Sequence, residues 1–256
     1  MGCVAYSEFL PKRVGKGDNE LKIAMSGVLT YLQKELKKDK GMSKDWYLTY
    51  TETLTLEEAF SYVKMRGATY SAFSTDYLFD DNDVFKDRMI RPDGGVIWLE
   101  NKKLPLVKYP LLFSEMKTQG TNKAREAVGE DTQAVGNAIE RLGKLTMFNL
   151  NLFEYDSVAP FVAFCSGCDF KFDAEGRPID KDGRLMGGKL ICLNGGFAPF
   201  NTVYTTKNIP KNKRILPSTI MAREEAFSVE EMFDILKEVG LDSFNNVRKN
   251  ILKNSK

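Results

Sequence analysis

The chain has 256 residues, 43% of them hydrophobic and 28% charged, and a formal net charge of +2. This length and composition can bury a large core, and we expect a single domain over residues 1–256. The sequence contains no histidine, which excludes Ser-His-Asp and Cys-His hydrolases, histidine-ligated zinc enzymes and nucleases with a histidine base. Long apolar runs and a signal-peptide core are also lacking, so we expect a cytoplasmic protein without a membrane partner.

Hydrophobic periodicity and capping signals predict the elements of the first half of the chain. Thr55 and Glu58 have the spacing of a capping box, which predicts the start of a helix at this point. A charge-rich segment without periodicity predicts a surface loop, and two apolar runs separated by a proline-containing turn predict an antiparallel strand pair. In chain order these elements are a helix over 21–38, the helix that begins at Thr55, a loop over 76–91, strands over 94–100 and 107–117, and their turn at 101–105.

The second half alternates predicted helices and strands. A polar connection over 121–135 precedes a helix, and a charged, glycine-rich stretch predicts a loop or hairpin. The predicted order is a helix over 136–151, a strand over 160–165, a loop or hairpin over 169–188, strands near 189–193 and 202–206, a helix capped by Ser228 with Glu231 at its third position, and a last helix from Asp242 to Leu252. This order predicts an α/β fold with a mixed central β-sheet flanked by helices.

The predicted strand pair carries two carboxylates and one ammonium. Asp93 lies in the tight turn of residues 91–95, and Glu115 and Lys117 end the second strand. Side-chain alternation places Glu115 and Lys117 on one face of the sheet. Two carboxylates can hold a divalent cation, and a lysine beside them can offset charge at an oxyanion or a water molecule. The three residues therefore predict metal-assisted phosphodiester hydrolysis.

Hairpin geometry brings these groups together. A simple hairpin sets Asp93 opposite Ser114, one residue from Glu115. Pro110 cannot donate to the ladder and predicts a bulge or an edge, and a one-residue bulge would bring Asp93 level with Glu115. The two glycines that follow Asp93 would let a phosphate approach the backbone closely.

Residues 131–141 form a second candidate functional segment, Asp-Thr-Gln-Ala-Val-Gly-Asn-Ala-Ile-Glu-Arg. One interpretation is structural: Asn137 caps a helix and Glu140 completes a capping box. The other is functional, because Asn, Gln and Arg side chains make bidentate contacts to purine edges in the major groove. The residues alone leave both interpretations open.

Three segments, Pro92-Asp93-Gly94-Gly95, Glu115-Met116-Lys117 and Gly136-Asn137-Ala138-Ile139-Glu140-Arg141, together resemble the EcoRI/MunI-like type II restriction endonucleases of the PD-(D/E)xK nuclease superfamily. The resemblance covers roughly residues 90–145 and implies a restriction-endonuclease-like fold. It also implies a homodimer that cuts double-stranded DNA at a palindrome with a central AATT, using Mg²⁺, in a host with a cognate DNA methyltransferase.

The resemblance further assigns roles to individual residues. Asp93, Glu115 and the Met116 carbonyl would bind the metal, and Lys117 would position or activate the attacking water. Glu140 would hold Arg141 across the dimer interface. The residues that would contact DNA are Gln133, Ala134, Asn137, Ala138, Arg141 and Lys189.

Three departures from the family pattern bear on specificity. Met116 replaces an alanine, which is harmless if only its carbonyl is used, and Gln133 replaces a methionine near the outer base pair. Lys189 stands where paired arginines would read an outer guanine. GAATTC, CAATTG and AATT alone therefore remain open as the recognised site.

Two other functions explain part of the sequence. A structure-selective repair or junction-resolving nuclease of the same superfamily would use the metal trio but not residues 131–141. A DNA-binding protein without catalysis would not need the trio. Plasmid cleavage into discrete fragments distinguishes restriction from both.

The cysteines allow two interpretations. Cys165 and Cys168 have the CxxC spacing of a zinc or redox motif, with Cys192 and Asp169 as further candidate ligands. We favour reduced, structural cysteines, as is typical of cytosolic proteins.

Overall fold

The computed structural model describes residues 20–65, 89–104, 107–119, 127–129, 137–153, 156–167, 169–179, 183–185, 200–209 and 216–254. In these ranges the helices are α1 (Glu20–Lys38), α2 (Lys40–Asp45), α3 (Leu56–Met65), α4 (Asn137–Leu152) and α5 (Val229–Asn254). The strands are β1 (Trp46–Thr51), β2 (Leu54–Thr55), β3 (Met89–Ile90), β4 (Val96–Asn101), β5 (Lys108–Gln119), β6 (Phe161–Gly167), β7 (Lys171–Phe172), β8 (Pro178–Ile179) and β9 (Thr219–Arg223).

Five strands form the central sheet in the order β1-β4-β5-β6-β9. β1, β4 and β5 pair antiparallel, whereas β5, β6 and β9 pair parallel. The sheet is mixed and has helices on both faces, so the predicted α/β class is confirmed. β5 is the middle strand, and it joins the antiparallel half of the sheet to the parallel half.

The predicted bulge is present in the β4–β5 hairpin. Ile97 pairs with Leu112, but Trp98 pairs with Pro110, so Leu111 has no partner in the ladder. Proline has no N–H to offer β4, and the irregularity lies beside it. The bulge shifts the rest of β5 by one residue relative to the turn that carries Asp93.

Successive residues of the sheet contribute to two separate cores. On one face, Val96, Trp98 and Phe113 pack with residues of α3 and α4. On the other, Ile97 and Leu112 pack with residues of α1 and α5. This period of two follows from the pleat, and it places Glu115 and Lys117 on the same face as Phe113.

Local signals located the start of three helices, α1, α3 and α5, correctly. The helix predicted over 21–38 is α1. At the start of α3, the N–H of Thr55 donates to the Glu58 carboxylate at 2.9 Å and the N–H of Glu58 donates to the Thr55 hydroxyl at 3.1 Å. At α5 the N–H of Ser228 donates to Glu231 Oε2 at 2.8 Å and the N–H of Glu231 donates to Ser228 Oγ at 3.2 Å. Each pair forms the two reciprocal hydrogen bonds of a capping box.

The prediction of two C-terminal helices is wrong, because α5 runs without a break from Val229 to Asn254. Gly240 lies inside it, where a Cβ would stand 3.5 Å from side-chain atoms of Leu112, Leu32 and Val28. The glycine therefore lies where α5 approaches both α1 and the sheet. Packing on both sides of this point holds the helix together despite the weak helix propensity of glycine.

The strand predicted over 202–206 is also wrong, since Thr202 to Thr205 are irregular. The segment nevertheless borders the edge of β9. Asn201, with φ +60°, bonds the backbone of Ala222 through both atoms of its side-chain amide, at 2.7 and 3.0 Å. Tyr204 donates its N–H to the Thr219 hydroxyl. These side-chain bonds, with one backbone bond from the Asn201 N–H to the Ile220 carbonyl at 2.8 Å, attach the segment to this edge.

Several predictions concern residues outside the described ranges. These are residues 76–88 of the loop predicted over 76–91, most of the connection over 121–135, and the strand over 189–193. At the end of that predicted loop, Met89 and Ile90 instead form β3. The hairpin predicted within 169–188 is present as β7 and β8. Among the described helices, none has the length and apolar character needed to cross a membrane.

Candidate active site

The turn that carries Asp93 is fixed to β5 by backbone hydrogen bonds. Gly95 donates its N–H to the Pro92 carbonyl at 2.9 Å, which closes the turn. Gly94 donates to the Ser114 carbonyl at 3.0 Å, and Ser114 donates to the Gly95 carbonyl at 3.4 Å. Because Gly94 and Gly95, which directly follow Asp93, are bonded to Ser114 of the middle strand, the carboxylate of Asp93 is held over the end of β5.

The two glycines of this turn are required for internal packing. A Cβ on Gly94 would lie 1.9 Å from Ser114 Oγ, and one on Gly95 would lie 2.6 Å from both the Thr51 carbonyl oxygen and Tyr50 Oη. Gly95 also has φ +72°, a conformation that side chains disfavour. Both glycines are buried. We therefore assign them a role in packing, in place of the expected role of leaving room for a phosphate.

Sequence reasoning missed the side chains that support this turn. Ser114 and Tyr50 are the residues that Gly94 and Gly95 touch, and their hydroxyl groups have no hydrogen-bond partner among the described residues. Burial raises the pKa of Tyr50 to about 12. No motif marks these positions, because they are defined by contact with a turn that is distant in the chain.

Three oxygen-bearing groups converge on the ammonium of Lys117. Its Nζ donates to the Glu115 carboxylate, to Asp93 Oδ2 at 3.3 Å and to the Met116 carbonyl at 3.3 Å. The carboxylates are also tied to the backbone: Asp93 donates its N–H to Glu115 Oε2 at 2.9 Å, and Asp93 Oδ2 accepts from the Met116 N–H at 3.1 Å. The structure therefore brings together the four residues that the sequence assigned to metal binding and catalysis.

The members of this cluster differ in exposure. The side chain of Glu115 is 6% exposed, that of Lys117 is 17% exposed and that of Asp93 is 40% exposed. Burial raises the pKa of Glu115 to about 7, against the opposing effect of the Lys117 ammonium. Asp93 faces solvent, so a ligand would reach the cluster from its side.

A metal ion at this point would depend on few protein ligands. No group of three or more His, Cys, Asp or Glu in the described part of the chain has the arrangement of a metal site. Two carboxylates and the main-chain carbonyl of Met116 do meet around one positive charge. Hard oxygen donors of this kind suit Mg²⁺, which usually takes one or two carboxylates and completes its shell with water and phosphate.

Cys165 lies next to the cluster on β6, where it is the ladder partner of Lys117. It is fully buried, and burial raises the pKa of its thiol well above the usual range. A neutral, inaccessible thiol packs as a small apolar side chain. Cys168 and Cys192 lie outside the described residues, so the zinc alternative stays a prediction.

The predicted DNA-reading residues are described only in part. Arg141 and Glu140 are exposed on the first turns of α4, and Glu140 pairs with Lys144 at 3.0 Å. Ala138 is 7% exposed and packs in the core between α4 and the sheet. Only the backbone of Asn137 is described, and the remaining predicted contacts, Gln133, Ala134 and Lys189, lie outside the described residues.

Comparison with known proteins yields one family. The model described as "Restriction endonuclease EcoRI" matches residues 74–254, which include the turn, the end of β5 and α4. No curated protein sequence matches the chain.

Proposed function

Because the chain belongs to the EcoRI restriction endonuclease family and is a type II site-specific deoxyribonuclease, we propose that it cleaves a DNA palindrome with a central AATT in a Mg²⁺-dependent reaction. The observation that supports the reaction is the convergence of Asp93, Glu115 and the Met116 carbonyl on one cationic position. The observation that bears on the DNA sequence recognised is the exposure of Glu140 and Arg141 on the first turns of α4.

In this proposal Asp93, Glu115 and the Met116 carbonyl hold Mg²⁺. The ion would supply positive charge at the scissile phosphate and lower the pKa of a bound water. Asp93 is the more exposed of the two carboxylates, so it would face the arriving phosphate. Glu115 is anchored deeper, through its bond to the Asp93 N–H, and it fixes the distance between turn and strand.

Lys117 would act on the phosphate or the water. The chain has no histidine, so the attacking water would be activated by the metal, which lowers the pKa of a bound water, by Lys117 or by an oxygen of the substrate phosphate. The Lys117 ammonium stabilises negative charge that develops on the phosphate. Its position at the end of β5, beside both carboxylates, supports this role.

Recognition would use the start of α4 and the segment before it. We assign base contacts to Arg141 and Asn137, with Gln133, Ala134 and Lys189 as further DNA contacts. Ala138 is left out of this set because it packs in the core. A homodimer would present two copies of α4 to the two halves of a palindrome. The enzyme would act in the cytoplasm, where a cognate methyltransferase protects the host's own sites.

Plasmid digestion with Mg²⁺, followed by sequencing of the cut ends, tests this function. We expect discrete fragments whose ends share a central AATT, and Asp93→Asn and Glu115→Gln should each abolish cutting. Glu58→Gln is a matched control, because Glu58 is also a half-buried carboxylate paired with a lysine of β5, Lys108. A ladder of fragments or branch-dependent cleavage would instead indicate a repair nuclease, and normal cutting by Asp93→Asn would remove the proposed site.

Arg141→Lys tests base reading. Lysine cannot reproduce the planar fork that contacts two base atoms, so the preference for the cognate site should fall by roughly 1–3 kcal/mol per half-site. Lys144→Arg is the control, since Lys144 lies one turn further along the exposed side of α4. An unchanged ratio of affinities for cognate and one-base-altered duplexes would contradict base reading. It would instead favour the interpretation that residues 131–141 only cap a helix.

A further inference from the structure

We propose that Lys117 holds the place of the metal ion in the metal-free protein, and that metal binding displaces its ammonium toward the substrate. The inference rests on the proposed metal-dependent function and adds a competition between protein and metal for the same oxygen atoms.

The contacts of Lys117 are those of a bound cation. Its Nζ contacts both carboxylates and the Met116 carbonyl, which are the three groups assigned to the metal. A lysine whose only role is to contact the substrate would not need all three of these contacts with the protein. Three oxygens on one ammonium mean that the cluster is already assembled without metal, with one of its two negative charges balanced.

Burial explains why a place-holding charge is needed. The side chain of Glu115 is 6% exposed, so water screens it poorly, and an unpaired carboxylate at this depth would be strongly destabilising. The charged or titratable groups that act on Glu115 are Lys117, Asp93 and Cys165. Among these the cation is Lys117, while the other two are a second carboxylate and a buried thiol.

Two cations cannot share these oxygens. A divalent ion bound by Asp93 and Glu115 would stand within a few ångströms of the present Nζ position, where like charges repel strongly at low dielectric. Lys117 therefore leaves when the metal arrives. Its flexible stem and its 17% exposure give it a route toward the solvent side, where Asp93 and the phosphate would lie. Metal binding thus delivers the lysine to the reacting group.

A metal titration without DNA tests the competition, with Mn²⁺ as the probe and electron paramagnetic resonance as the readout. Lys117→Met removes the competing ammonium and keeps a side chain of similar length. The variant protein should therefore bind Mn²⁺ about ten- to one-hundredfold more tightly than wild type, because the metal no longer has to break the charged hydrogen bonds of Lys117. Lys108→Met is the matched control, because Lys108 is also a half-buried lysine of β5 paired with a glutamate, and its Mn²⁺ affinity should equal that of wild type. Asp93→Asn should lose binding.

Lysine acylation of the wild-type protein, read by mass spectrometry, checks the movement without any variant. Lys117 should be acylated faster in saturating Mn²⁺ than in EDTA, while the rate at Lys108 stays constant. Equal or weaker Mn²⁺ binding by Lys117→Met, or no increase in Lys117 acylation, would overturn the place-holding role even in a protein that cleaves DNA. A wild-type protein that neither binds Mn²⁺ nor cleaves plasmid would instead overturn the proposed function.

Discussion

Substitution of Gly94 by alanine should displace the turn that carries Asp93. The added Cβ would lie 1.9 Å from Ser114 Oγ and 2.9 Å from Leu21 Cγ. Gly94 is not among the glycines with positive φ, so alanine adds no backbone strain and the effect is steric. The turn cannot slide freely to relieve the clash, because the N–H of Gly94 is bonded to the Ser114 carbonyl.

The magnitude follows from two opposing effects. Overpacking of a filled core costs about 1–3 kcal/mol, and the loss of glycine's freedom in the unfolded chain returns about 0.4–1 kcal/mol. The net cost of Gly94→Ala should be about 1–2 kcal/mol, which corresponds to a fall in Tm of roughly 2–8 °C for a domain of this size. Displacement of Asp93 by about 1 Å should reduce the cleavage rate on the order of a hundredfold.

Ser114→Ala provides the compensating change. The Ser114 hydroxyl is buried without a partner among the described residues, so its removal alone should be neutral or stabilising. In the double variant the nearest atoms to the new Cβ become Leu21 side-chain atoms at 2.9 and 3.0 Å, which need to shift by only a few tenths of an ångström. The double variant should therefore recover most of the stability and part of the activity.

Denaturant unfolding and plasmid cleavage of the wild type, both single variants and the double variant form a double-mutant cycle. We expect a favourable coupling of about 1 kcal/mol between the two positions. Additive effects, or a Gly94→Ala protein as stable and active as wild type, would refute the account of the turn as a close-packed support for Asp93.

Three further predictions concern charge, helix packing and DNA. Since burial raises the pKa of Glu115 to about 7, the folded metal-free protein retains a proton that the unfolded chain has lost, so stability should fall as pH rises from the ordinary pKa of a glutamate to about 7; Glu115→Gln should flatten the pH dependence of unfolding, and an unchanged slope would contradict it. Gly240→Ala should raise stability by up to about 1 kcal/mol, because its Cβ would fit at ordinary contact distance, and a lower Tm would show that α5 cannot accept the methyl group. Affinity for a duplex should fall steeply with salt through counterion release, whereas a flat salt dependence would exclude tight contact with duplex phosphates.

The β4–β5 hairpin with its preceding turn could be predicted because its determinants are local. The proline-glycine turn, the alternating apolar strands and Pro110 all lie within residues 89–119. Together they indicated the hairpin, the bulge and the convergence of Asp93 with Glu115. The capping box at Thr55 was predictable for the same reason, since both partners lie within one helical turn.

Other parts of the fold depend on contacts between distant segments. The positions of β1 and β9 at the two edges of the sheet were not predicted, although the aromatic and β-branched residues of β1 are typical of strands. A separate last helix was predicted from Asp242, whereas contacts of Gly240 with α1 and the sheet accompany a single, unbroken α5. The packing role of Gly94 likewise depends on its contact with the Ser114 side chain. The residues next to Gly94 in the sequence do not reveal this contact.

The central position of β5 also sets an order in which the chain can assemble. β4 and β5 are joined by a short connection, so loop closure is inexpensive and the hairpin can form early. The parallel partners β6 and β9 begin only at Phe161 and Thr219, and their docking is a long-range event. A hairpin that forms first would bring Asp93 and Glu115 together while both are hydrated, and Glu115 would lose its water when β6 docks. The carboxylate pair would then be assembled before the sheet that encloses it.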